Sequence, residues 1–590
     1  EVVVTAARLP PAASEAAFSV TRLTGDDLNG QARLDEALSQ VPAVSLFRRT
    51  SSLSANPTTQ GISLRAIAPS GAGRTLVTLD GVPLNDPFGG WVIWSQVPTE
   101  SLSRLDIVRG AGAGPYGAGA LTGVIALSER DEGSVLDLSL SERGGVRVSG
   151  AGVATVGPVQ LVGTALYETS DGYVPVRGSA AGAADTALDL DVKSAALRAD
   201  MPVGAATVSL RAAAFEEERG SGLAGARATA SGNSLSVTAA TAPTTDRPGW
   251  RLQAWRRESD LANSSVAVSA DRATTTPAND QFETPATGWG VNAALRGVEG
   301  VGSGGRLEWE VGADARLAEG ETRERFRYMN GAFTRDRIAG GETTVAGLYG
   351  DGSWTSGPWL VAGGLRYDRW STGEGRRLER DRSTGLPTLD ETDPDRSGEV
   401  VSARLGLRRD LGGGQALRAA AYSGFRPATL NELHRPFRVG NDLTEANAAL
   451  EPERLTGVEG GWGWSGENAS LSATVFWNRI EDAIVNVTIG QGPGTFPRAG
   501  FVPAGGVLRQ RQNAGTIEAK GLEVDGRYAL NDSLSLRAAV SATDARVDGG
   551  TGGQDLFFAD RTTVNLNAFV DFNQRQSWVE RFPFLESARL

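Results

Sequence analysis

From about Ser134 onward the chain alternates apolar and polar side chains at period two. In SVLDLSLSE, Leu136, Leu138 and Leu140 fall on one side, and Asp137, Ser139 and Ser141 on the other. In RLEWEVGADAR, Leu307, Trp309, Val311, Ala313 and Ala315 alternate with Glu308, Glu310, Asp314 and Arg316. NSLSVTAA, WRLQAW, WLVAGGLRYD, LSATVFW and TTVNLNAFVDF repeat the pattern. Such strands have one apolar and one polar face. The polar face is too charged for a sandwich core, so it must be solvated, as in a barrel with an apolar exterior and a wet lumen. At roughly 20 residues per strand and connection, the stretch from 130 to 590 predicts about 22 antiparallel strands, the number at which a plugged lumen is expected.

The first part of the chain reads differently. Thr75 to Leu79, Leu105 to Val108 and Leu121 to Leu127 are short apolar runs punctuated by Gly, Pro, Asn and Asp, which predicts a compact mixed α/β domain. Leu34, Ala37, Leu38 and Val41 form a one-sided stripe ending before Pro42, a short core-packed helix. A polar loop follows with Arg48, Arg49 and Asn56. A second, Asn85 to Pro98, holds Phe88, Trp91 and Trp94. Burying such rings is worth roughly 1.5 to 3 kcal/mol each, so in a water-facing loop they need a reason. They pack on the barrel wall, or at least one forms a platform for a ligand. The run from Gly112 to Gly117 satisfies GxGxxG, but Val124 to Leu127 reads as a strand, so no helix opens behind it and no dinucleotide site is expected. Glu1, Val2, Val3, Val4, Thr5 and Ala6 form a β-prone run cut off by Arg8 and the Pro10-Pro11 pair, suited to adding itself to a partner's sheet.

Composition narrows the classes. No apolar run approaches the roughly 18 residues of a membrane helix, so a spanning chain must span as a barrel. Cysteine is absent, which removes disulfides, thiolate metal sites and a cysteine nucleophile. A net charge of −12 argues against a nucleic-acid partner. With two Met and one His, soft-ligand capture of a bare metal ion is not expected. A Ser-His-Asp hydrolase would have to use that single imidazole, His434, and no nucleophile-elbow motif accompanies it. No catalytic residue, cofactor or resident metal is expected.

LVTLDGVPLND and IVRGAGAGPYGAGALTGVI resemble the plug of the TonB-dependent transporters of bacterial outer membranes. The resemblance implies a TonB box over 1–8, a mixed α/β plug over 9–129 in the lumen, and a 22-stranded transmembrane β-barrel over 130–590. Glu1 to Ala6 would recruit TonB, with the ExbB-ExbD motor behind it. Short turns such as Thr355 to Pro358 would be periplasmic and the long polar stretches extracellular. Arg48, Arg49, Asn56, Phe88, Trp91 and Trp94 would lie at the plug apex, facing cargo. Arg323, Arg325, Arg327, Tyr328, Phe333 and His434 would line outer loops formed by Glu319 to Gly340, Thr372 to Glu399 and Pro427 to Pro452. Arg beside aromatic rings can grip an anionic or aromatic cargo. A salt-bridged solvated loop, and for His434 an ordinary surface histidine, are the competing readings. Phe425 to Pro427, Asn431 to Leu433 and Leu450 to Glu453 match the family's FRxP, NEL and LxPE. Arg65 and Arg109 match plug arginines that pair with inward-facing wall acids, here Glu459 and Glu523. These four would form a latch between plug and barrel.

The function so implied is active import of a large or scarce solute, most commonly an iron–siderophore complex. Cobalamin, a saccharide or an aromatic compound remain open as cargo, and a passive porin or surface-binding protein is the reading of another class. The expected setting is the outer membrane with its lipopolysaccharide. The chain opens at EVVVTA without a secretion signal, as a mature form would. It stops at Arg589-Leu590 where the family usually ends on an aromatic, so missing or atypical last strands are expected.

Overall fold

The computed structural model describes residues 6–548 except 29–30, 49, 68–69, 111, 113, 142, 303 and 532–533, together with the backbone of Arg561–Phe572 and Ala588–Arg589. Period-two alternation produces a ring of antiparallel strands in chain order from Val135–Leu140 to Arg561–Phe572. It closes through Ala588–Arg589, which runs parallel to Leu136–Asp137. Residues 573–587 lie outside the described residues, and the expected count of about 22 strands is not reached among the described ones.

The two faces separate as the alternation predicts. Along Gly305–Met329, Glu308, Glu310 and Asp314 are buried against the interior while Val311 is 48% exposed on the outside. The outer face of this strand is apolar from Leu307 to Leu317 and turns charged at Glu319, Glu321, Arg323 and Arg325. Ten steps of about 3.3 Å, tilted by about 40°, give a band about 25 Å tall, the height of an outer-membrane hydrocarbon belt.

Inside the ring sits a five-stranded sheet in the order Val20–Thr24, Leu102–Arg109, Gly123–Glu129, Thr75–Leu79, Val82–Pro83, with Thr75–Leu79 and Gly123–Glu129 parallel. The helix Leu34–Ser39 packs Leu34, Ala37 and Leu38 into one core with Leu105, Ile107 and Ile125, and Val41 joins just past its end. The glycine-rich run feeds a strand, as expected. Gly114 accepts from Arg366 of the wall at 3.2 Å, and Gly117, at φ +71°, leaves no space for a Cβ beside the same guanidinium.

Two of the three expected outer loops are largely strand. Glu319 to Gly340 belongs to the hairpin of Gly305–Met329 and Ala332–Ser356, whose alternation persists past the apolar band. Thr372 to Glu399 continues Trp359–Asp381, adds Pro387–Thr392 and runs into Arg396–Gly412. Pro427 to Pro452 forms the helix Leu430–His434, then joins a four-stranded sheet of Phe437–Val439, Asp442–Glu445, Val507–Asn513 and Ile484–Gln491.

Replacing Val311 by Arg puts a charge at the middle of the apolar outer band. The expected cost is about 2–4 kcal/mol in urea titrations of folding into bilayers, against near neutrality for the same change at Glu319.

Candidate functional site at the plug and wall

The inner wall carries more charge than water alone contacts, and the plug answers it. Arg65 follows the strand Ile62–Leu64 in left-handed backbone, φ +60°, as does Ala66 at +54°. This turn sends the side chain out of the plug to the wall. Arg65 donates to Glu459 at 2.7 Å, to Glu523 at 3.4 and 3.3 Å and to the Tyr422 hydroxyl at 2.8 Å, and its guanidinium lies 4.4 Å from the Phe476 ring centroid. Burial opposes the charge, but Glu523, Tyr422 and Glu459 more than offset it, so the pKa of Arg65 rises above its ordinary value. Arg109 faces Glu523 at 3.4 Å and donates to Ser19 at 3.1 Å. All four residues expected to pair therefore meet in one buried cluster. Gly110, at φ +87°, lets the Tyr422 ring lie against the plug backbone, since a Cβ there would sit 2.6 Å from the ring.

A second buried cluster was not foreseen as a tie. Arg74 of the plug donates to Glu453 at 2.6 Å, Arg426 donates to the other oxygen of Glu453 at 2.7 Å, and Arg426 also holds Glu432 at 2.9 and 3.1 Å. Glu432 completes a capping box with Thr429 at the start of the Leu430–His434 helix. Burial pushes its carboxyl up, but Arg426 and the cap bonds outweigh this and hold its pKa down at about 2. The signal was in the FRxP, NEL and LxPE stretches, whose Arg426, Glu432 and Glu453 are the three non-plug members.

The expected apex residues are covered rather than presented. Phe88 and Trp91 pack with Ile93 against Ala230, Leu261 and Ala286 of the wall and Leu430 of the capping helix. Trp94 is in the plug core. Asn431 N donates to Phe88 O at 2.9 Å, so the helix seals the loop tip. Arg48 is turned onto Asp35 at 2.9 Å, and Asn56 caps a short helical turn while donating to Asn263 of the wall at 3.0 Å. Arg49 lies outside the described residues.

The outer-loop residues divide. Unbroken pleating places Arg323 and Arg325 on the outer face of the wall, where they pair with Glu283 and Asp280. Arg327 sits at a bulge with φ +59°, next to Tyr328, whose ring meets Phe333 edge-on at 5.2 Å. His434 is buried, with Nδ1 3.0 Å from Asp393 and Nε2 without a hydrogen-bond partner among the described residues. Among the described residues no group of three or more His, Cys, Asp or Glu side chains is arranged to hold a metal ion.

Of the N-terminal run only Ala6 is described. The chain after it is fastened to successive wall side chains. Ala7 N donates to Ser209 at 2.7 Å, Ala13 N to Glu308 at 3.1 Å, the Ser14 hydroxyl to Asp351 at 3.0 Å and Ser19 N to Glu459 at 2.9 Å. Arg8 adds Asp131 at 2.5 Å and Asp80 at 3.4 Å. The segment thus crosses the floor of the ring and ends on the carboxylate that holds Arg65.

Removing one partner of a buried charged cluster costs about 3–5 kcal/mol. Arg65→Gln is expected to lose that much protection in hydrogen exchange of Ile62–Leu64, and adding Glu459→Gln to recover part of it. Because the Glu432 carboxyl lies below its ordinary 4.5, its anchoring of the helix is full above about pH 4.5 and is lost as pH falls toward about 2. Protection of the 429–435 amides, taken relative to the intrinsic exchange rate at each pH, is expected to fall across that window in the wild type and to be unchanged by pH in Glu432→Gln.

Comparisons with known proteins agree with this arrangement. Residues 12–124 match the TonB-dependent receptor plug domain and 178–585 the TonB-dependent receptor-like β-barrel. The unliganded ferric citrate transporter FecA is similar in fold, with a TM-score of 0.66, 16% identity, and 94% of this chain and 82% of that one covered. So is the Serratia marcescens hemophore receptor HasR, solved as a double mutant with its hemophore and heme, at 0.71, 16%, 94% and 89%. The ferric yersiniabactin receptor FyuA of Yersinia pestis gives 0.65, 13%, 92% and 81%. A plug pinned by buried ion pairs inside an antiparallel ring, together with family matches over both parts, makes this chain a member of the TonB-dependent receptors, a family of outer-membrane β-barrel receptors and transporters rather than enzymes.

Proposed function

We propose that this chain imports a large or scarce solute across the bacterial outer membrane, with TonB engaging Glu1 to Ala6 and an iron–siderophore complex as cargo. The observation that carries this reading is the filled lumen. The plug is held at Arg65 and Arg74 and its apex is sealed by the capping helix, so a solute passes only when energy moves the plug. A passive porin would need an open path. The neighbours FecA, a ferric citrate transporter, and FyuA, a ferric yersiniabactin uptake receptor, support the siderophore class over cobalamin, a saccharide or an aromatic compound.

In this reading cargo meets the extracellular cap first. Arg327 with the Tyr328–Phe333 pair, and Arg438 beside the exposed Phe501, offer cation and aromatic surface there. Movement of the cap shifts the Leu430–His434 helix and, through Glu432 and Arg426, loosens Arg74. Tension on the N-terminal segment then opens the bonds from Ala7 to Ser19 in turn and reaches Arg65 through Glu459. Arg65, Arg109, Glu459 and Glu523 act as the latch.

The test is uptake by a deletion strain offered a panel of ferric siderophores, cobalamin, oligosaccharides and aromatic acids, complemented with wild type or Val3→Pro. Proline removes a backbone donor needed for strand addition. One ferric siderophore taken up by wild type and only bound by the variant is the expected result. Uptake that survives the proline overturns TonB coupling through this segment.

A further inference from the structure

The outer face of the wall is indented near its short-turn end by a groove of about 600 Å³. Its floor is made of the outward-facing small residues Ala419 and Gly460, directly opposite each other on neighbouring strands, with Ala473 diagonal to Gly460 on the next strand, opposite Trp462. Leu417, Trp462 and Val475 rise around them. At the end nearest the turns, the Arg409 guanidinium lies 4.8 Å over the ring of Trp359, which pairs with it across the strands. Arg409 makes no ion pair among the described residues, whereas adjacent Arg408 holds Asp410 at 2.8 Å.

We propose that this groove is a specific site for one anionic phospholipid of the periplasmic leaflet. The apolar belt surrounds the groove, so an acyl chain is the medium's own filler for it. What distinguishes a site from general lipid contact is the cation beside an indole at headgroup depth. A guanidinium without a carboxylate is complementary to a phosphodiester, which it can bind through two parallel N–H bonds. Short turns mark the periplasmic end of such barrels, which selects phospholipid over lipopolysaccharide. Other outward-facing cations such as Arg323, Arg325 and Arg256, the last over the ring of Trp289, are each paired with a carboxylate, Glu283, Asp280 and Glu258. The site is independent of the cargo and of TonB.

The test is native mass spectrometry of the purified full chain with phosphatidylglycerol, phosphatidylethanolamine or lipopolysaccharide added in turn. Wild type is expected to hold one phosphatidylglycerol. Arg409→Gln should weaken that binding by about ten- to a hundredfold, as loss of a charged hydrogen bond does, and leave phosphatidylethanolamine unchanged. Gly460→Trp should abolish retention of either phospholipid. A Cβ at Gly460 has only Val475 within reach, at 3.9 Å, so the larger ring fills the groove without meeting the plug. Arg408→Gln, with a side chain outside the groove, should match wild type. Heat-modifiability on gels verifies that each variant is folded. Equal retention by wild type and both groove variants, indifference to headgroup, preferred retention of lipopolysaccharide, or a lipid-free dimer covering the groove would each overturn the proposal.

Discussion

Closing a sheet into a ring removes its backbone edges and transfers the problem of polarity to the side chains of the inner face. Here that face carries Glu308, Glu310, Asp314, Arg366, Glu453, Glu459 and Glu523, all buried. Charges so buried are tolerable only when paired and hydrogen-bonded. Part of the pairing is made within the wall, as in Arg366 with Asp314 and Asp368. The rest is made by the plug, so the plug and the wall are each incompletely satisfied alone. That mutual dependence explains why a domain with a core of its own is nevertheless seated in one orientation.

The two ties from plug to wall are built differently. Arg74 leaves the plug just before the strand Thr75–Leu79, where the left-handed residue beside it is a glycine, Gly73 at φ +72°, and its carboxylate partner is shared with a helix that closes the outer side. Arg65 leaves through two consecutive non-glycine residues at positive φ, each of which costs on the order of 1–3 kcal/mol. The strain is sustained by the bonds that Arg65 makes to Glu459, Glu523 and Tyr422. Backbone strain of this kind lowers the cost of release at Arg65 relative to Arg74, because breaking the ion pairs also frees the turn.

The fold was legible because one period of two, sustained over hundreds of residues with glutamates on one face and leucines on the other, has few solutions. The pairing of Arg65 and Arg109 with Glu459 and Glu523 was legible through motif resemblance, not through spacing, since the partners lie about 350 to 460 positions apart in a chain whose register fixes contacts locally. For Phe88, Trp91 and Trp94, rings between glycines in a loop, the sequence left both packing on the barrel wall and a ligand platform open. Sequence does not reveal that Leu430, more than 300 positions later, descends to cover that loop. Arg323 and Arg325 fall on a strand and not in an outer loop for a simpler reason. Their strand does not break at the top of the apolar band, so odd positions keep facing outward and only the bulge at Arg327 changes the phase.

Under the proposed pull from its free end, the N-terminal segment would turn the order of residues into an order of events. Ala7 and Ala13 are each held by one hydrogen bond to the wall, Ser14 meets Asp351 and Arg404, and Ser19 meets Glu459, Arg418 and the plug's Arg109; such a bond contributes about 1 kcal/mol net, or about 1.5–3 kcal/mol where the partner is charged. Loaded from one end, such bonds break singly, so the force needed at any moment is set by one of them and not by their sum. The Arg65 cluster is the opposite case, since its bonds converge on one guanidinium and would have to break together. Ser19 joins the two regimes, because its backbone N–H and the Arg65 guanidinium occupy the two oxygens of the same Glu459 carboxylate. Lifting Ser19 leaves that carboxylate under-satisfied in a buried site, where an unmade bond costs more than a made one gains. In the proposed import, peeling the segment would thereby weaken the Arg65 tie before any load falls on it directly.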